Sequence, residues 1–153
     1  MNTYLLSLFA HLLGFSMLAG TIITTVFTSR QFWKTAAIDK MKAAAMLEGG
    51  TAFPIIMGVG MLLLILSGMS LLRINHGTFA EQTWFRIKML LMVLLIINGF
   101  IGRRIMGRAV PLVISPQADV EKLGVLKARV MWLNVLQLAI LLTVLILAVF
   151  KFN

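Results

Sequence analysis

The chain has 153 residues, 60% of them hydrophobic and only 12% charged, and it contains no cysteine. This composition lies far from that of a soluble globular domain and suits one domain of about four membrane spans joined by short loops. The missing cysteine excludes disulfides, thiolate metal sites, iron–sulfur clusters and thiol catalysis. The 14 Lys and Arg residues against 5 acids flank apolar runs and form no basic stripe interleaved with aromatics, which argues against nucleic-acid binding.

In chain order, the first expected span is Tyr4–Phe27. It has no charged leader and is too long for the apolar part of a cleavable signal, so it should stay in the mature protein. Phe32 and Trp33 would sit at the interface. Residues 34–48, rich in helix formers, would carry helix one onward as an amphipathic extension that stops at Gly49–Gly50. The second span is Thr51–Leu72, with Pro54 tolerated in its first turn. A polar loop, Arg73–Thr83, follows; its His76 reads as an ordinary loop residue. The third span, Trp84–Gly102, is ~28 Å long as a helix, enough for a bilayer core. It opens on the aromatic pair Trp84–Phe85 and closes on Arg103–Arg104. Residues 105–115 are expected as a loop broken by Pro111. Ser115, Pro116, Asp119 and Glu121 then read as a helix start. That helix would run through Lys122, Lys127 and Arg129 into the fourth span, Val130–Val149.

The loops after spans one and three carry ten of the fourteen basic residues, from Arg30 to Lys42 and from Arg103 to Arg129. The positive-inside rule places those loops in the cytoplasm. The expected fold is all-α: a single-domain integral membrane four-helix bundle, both termini on the outer side, helices one and four extended into the cytoplasm.

Polar residues inside spans are costly and are therefore functional candidates. His11 lies ~10 Å below Tyr4 and Lys88 ~6 Å below Trp84, so the two could face one another in the outer half. Asn98, Asn134 and Gln137 share a second, inner depth, where they read as interhelical glue or as a site. Ser7, His11, Gly14, Thr21 and Thr25 fall within one ~80° sector of span one, a small and hydroxyl stripe that should face other helices. Lys88 and Arg86 point in nearly opposite directions; if Lys88 faces inward, Arg86 snorkels to the interface. His11 reads either as a histidine hydrogen-bonded within the bundle or as a heme ligand, proton carrier or substrate contact. Met92, one turn below Lys88, is the one methionine considered as an axial ligand; the others are packing side chains. Gly58, Gly60 and Gly68 should permit close helix contact. No acid falls within a span, so no Ser/His/Asp catalytic set is available there. Only one histidine does, so a heme could not be held by two.

Across most of its length the chain resembles the HemJ-type protoporphyrinogen oxidase family, small four-span bacterial membrane proteins. The resemblance rests on FAHLLGFSMLAG in span one, FPIIMGVGMLLLILSG in span two, TWFRIKMLLMVLLI in span three and ARVMWLN before the apolar run of span four. His11 and Lys88 stand where that family has its membrane histidine and lysine. The resemblance implies heme b, with His11 as the ligand to its iron. It also implies oxidation of a porphyrinogen substrate in a bacterial inner membrane. Lys88 would contact a propionate or the substrate, with Arg86 and Met92 as further candidate cofactor contacts.

Two other readings stay open. One is a non-catalytic membrane subunit or assembly factor whose small-residue faces and basic cytoplasmic helices bind a partner protein or a second copy. The other is a small transporter with the two polar layers lining its path.

Overall fold

The computed structural model describes residues 2–48, 53–74, 82–115 and 120–150. Among them the chain is all-helical: α1 (Thr3–Ala36), α2 (Lys40–Glu48), α3 (Phe53–Ile74), α4 (Thr83–Ile114) and α5 (Val120–Phe150). Four of the five, all but α2, are long and apolar enough to cross a membrane. Most of their span surface is not covered by neighbouring helices. Side chains such as Leu5, Leu12, Leu66, Leu90 and Leu142, all at least half exposed, need lipid rather than water around them.

α1 packs most extensively on α3, then on α2 and α5, and α5 packs on α4. The α1–α3 contact is a backbone approach at two glycines. A Cβ built on Gly14 would lie 2.7 Å from the Gly60 carbonyl oxygen, and one built on Gly60 would lie 3.0 Å from that of Gly14. Where lipid is as apolar as leucine, such small-residue seams let backbones make van der Waals contact and drive association. The expectation holds for Gly60 but not for Gly58, whose Cβ would meet nothing within 4 Å. α3 and α4 have no comparable backbone contact among the described residues. Side chains bridge them: the Met57 methyl would lie 3.0 Å from a Cβ on Gly99. Leu64 and Leu95 join Leu18, Ile22, Ile140, Leu141 and Val144 in the central apolar cluster.

Two expected segments differ. Helix one does not run on through residues 34–48. It ends at Ala36, and Asp39 caps a separate helix, its Oδ1 accepting from the Lys42 amide at 3.0 Å. An aspartate that can satisfy an orphan amide favours a new start over continuation. Gly49–Gly50, the expected stop, lies outside the described residues, as does most of the 73–83 loop with His76. Residues 105–115 are not a loop. α4 stays helical to Ile114 with Pro111 inside its last turns. There the carbonyl left without a donor is near the helix end, and packing offsets the loss. Ala109 and Val113 bury against Phe32, Trp33 and Ala43.

This second cluster lies apart from the central one, near the ends of the long helices. α1, α4 and α5, at 34, 32 and 31 residues, outrun the ~20 residues that a bilayer core needs. Their surplus lengths and α2 pack together at the end that carries most of the basic residues. Leu123 and Leu126 of α5 and Met106 and Val110 of α4 complete that packing. As expected, α5 runs unbroken from Lys122, Lys127 and Arg129 into its long apolar stretch.

Candidate functional site

The hydroxyl stripe of α1 faces α3 along its first turns. Ser7 and Ser70 share a hydrogen bond of 2.7 Å between their Oγ atoms. One turn further, His11 Nδ1 lies 2.9 Å from Ser67 Oγ. Ser67 gives its single proton to the Leu63 carbonyl of its own helix. With its proton placed there, Ser67 Oγ acts as the acceptor for Nδ1–H, and the tautomer is assigned on that basis. In the neutral imidazole this leaves Nε2 with a free lone pair. Assigning a tautomer from its hydrogen-bond partner is the standard inference for histidine. Gly68 leaves room for the ring: a Cβ there would lie 3.5 Å from His11 Cε1.

Lys88 of α4 is half-buried, and its charge contributes to the electrostatic environment of His11. Arg86 is exposed, consistent with the opposite facing of two residues two apart on a helix. Met92 packs against the central apolar cluster as a filling side chain. Trp84 is buried at 7% exposure instead of lying in a lipid-facing girdle. Its indole N–H donates to Gln82, and its ring meets Phe85 edge-on.

The inner layer is also assembled. Asn98 Nδ2 donates to the Leu133 carbonyl at 2.9 Å, beside buried Asn134 and Gln137, while Asn98 Oδ1 has no partner. A cavity of about 360 Å³ adjoins this layer. α3 and α4 wall it with Met57, Gly99, Gly102, Arg103 and Met106; α1 lines it with Thr21, Thr25 and Ser29, and α5 with Asn134 and Gln137. His11 and Lys88 do not line it.

Sequence reasoning missed Ser67, Ser70, Ser29 and Arg103 as site residues. Gly60, Leu64 and Ser67 recur at i, i+4 and i+7 and are the buried positions of α3. That spacing could have marked Ser67 as facing α1. Among the described residues no group of three or more His, Cys, Asp or Glu side chains could hold a bare metal ion. No protein family, curated protein or solved structure matches this chain. What the fold and the site define is a chain with four helices suited to crossing a membrane, with an ordered histidine near a lysine inside them.

Proposed function

We propose that this protein is a heme-b-binding membrane redox protein, resembling protoporphyrinogen IX oxidase, with His11 as the iron ligand. The observation that carries the reading is the His11–Ser67 hydrogen bond, which leaves Nε2 as the free donor. Histidines that ligate metal commonly give the other ring N–H to an acceptor that fixes the tautomer and ring direction. Heme suits a site with one histidine and no acidic cluster, because the macrocycle supplies the remaining equatorial ligands. Bound there, heme would supply one-electron transfer. His11 would ligate through Nε2, Ser67 would hold the ring, and Lys88 would pair with a propionate of the heme or of a porphyrin substrate.

In this reading the four long helices form a bundle in a bacterial inner membrane. Both termini lie outside, and the second apolar cluster lies in the cytoplasm with the basic residues around it. The deciding experiment is an ultraviolet–visible spectrum of the detergent-purified protein, oxidised and then reduced with dithionite. A stoichiometric Soret band that shifts on reduction is expected.

A colourless protein, with heme supplied during expression, would favour the second reading, a non-catalytic subunit or assembly factor. One observation speaks for that alternative. At the α1–α2 turn Ile38 and Met41 are 90% and 71% exposed beside Lys40 and Lys42, an apolar and basic surface suited to a partner or to lipid headgroups.

A further inference from the structure

The cavity between the four long helices has no part in the heme reading. Two hydroxyls of α1 that line it satisfy themselves within the helix: Thr21 and Thr25 donate to the carbonyls of Met17 and Thr21. Ser29, one helical turn further along, does not. It lines the cavity at 5% exposure, and its Oγ has no hydrogen-bond partner. A buried hydroxyl so placed is costly unless something in the cavity accepts from it. Arg103 carries the one formal charge among the described lining residues, and Asn134 and Gln137 add amide donors. The rest of the wall is chiefly apolar, and the volume falls at the small end of ligand sites.

We propose that this cavity binds an anionic amphiphile. Its carboxylate or phosphate would sit at Arg103 and Ser29, and its apolar part would run along Met57, Met106 and Val110. The charge-assisted fork of arginine suits either anion. Such a group could belong to a bilayer phospholipid or to a free fatty acid, and both sources present the same chemistry to the site. The inference does not depend on heme: loss of heme in a His11→Ala variant would leave it intact.

Gly102 permits a clean test, because a Cβ there would meet nothing within 4 Å. A Gly102→Leu side chain should therefore occupy space without displacing protein. The full chain in nanodiscs of zwitterionic lipid would be titrated separately with phosphatidylglycerol and with dodecanoate, and read by native mass spectrometry. Saturable binding of one molecule is expected. Binding should fall about tenfold or more in Arg103→Gln and be lost in Gly102→Leu. Gly58→Leu, which alters an open position away from the cavity wall, should bind as the wild type does. Circular dichroism would establish that each variant keeps its helix content. Binding of phosphatidylglycerol alone would identify a bilayer lipid as the occupant, and binding of dodecanoate alone a free carboxylate; either result supports the site. Failure of both probes to bind saturably, or unchanged binding in both Arg103→Gln and Gly102→Leu, would overturn it.

Discussion

Gly14 and Gly60 meet so closely that neither position has room for a methyl group: built Cβ atoms would lie 2.7 and 3.0 Å from the opposite carbonyl oxygens. This crossing sets the distance at which the rest of α1 faces α3. The Ser7–Ser70 and His11–Ser67 hydrogen bonds lie on one side of it.

Gly14→Leu should therefore cost about 1–3 kcal/mol, the range for overpacking a tight contact. Gly58→Leu, where a Cβ meets open space, should change stability by less than about 0.5 kcal/mol. Unfolding midpoints of the two variants in mixed detergent give the comparison. Equal midpoints would show that the seam contributes nothing.

His11→Ala should abolish heme binding while leaving helix content intact, because the side chain is only half-buried. Ser67→Ala removes the acceptor that holds Nδ1. It should weaken heme affinity by roughly 10–100-fold, as loss of such supporting hydrogen bonds does elsewhere. Soret titrations of the apoproteins measure both effects. Full heme occupancy in His11→Ala would remove the ligand assignment.

Lys88→Met should lower activity more than stability. Methionine is easier to place among helices and lipid than an ammonium, so the folded state should be unharmed or improved. The cation near His11 would nonetheless be gone. Paired oxidase assays and thermal melts would separate the two quantities. Wild-type turnover in this variant would reduce Lys88 to an interfacial anchor.

Asp39→Ala should destabilise α2 by about 1 kcal/mol through loss of its cap, whereas Asp39→Asn should retain most of that stability. The bond from the Lys42 amide to Asp39 Oδ1 is the contact removed. Amide hydrogen exchange across residues 42–46 reports it directly. Protection unchanged in the alanine variant would mean that packing of Ala43 on Phe32 and Trp33 holds α2 alone.

Much of this architecture is legible before folding is considered. Tyr4–Phe27 and Val130–Val149 announce themselves because a backbone in hydrocarbon must satisfy its own hydrogen bonds, which makes each span a local property of about twenty residues. The expected depth of His11 and of Lys88 along their helices is equally local, since helical rise is constant. The break at Asp39 and the helical course through Pro111 were misread for the opposite reason. Outside the spans, local preferences differ by about 1–3 kcal/mol per site. A distant contact, such as Val113 on Phe32 and Trp33, decides the outcome.

The sequence by itself determined how many long apolar helices there are, where the basic residues concentrate and which polar residues fall within those helices. Each follows from composition along one helix and from the demands of the bilayer. Only the tertiary structure decided that Ser67 accepts from His11, that Gly60 rather than Gly58 meets Gly14, and that Ser29 and Arg103 border a cavity. Those facts depend on how each helix is rotated about its axis and how closely it approaches its neighbours. Side-chain packing between segments far apart in the chain fixes both, and one-dimensional periodicity does not contain them.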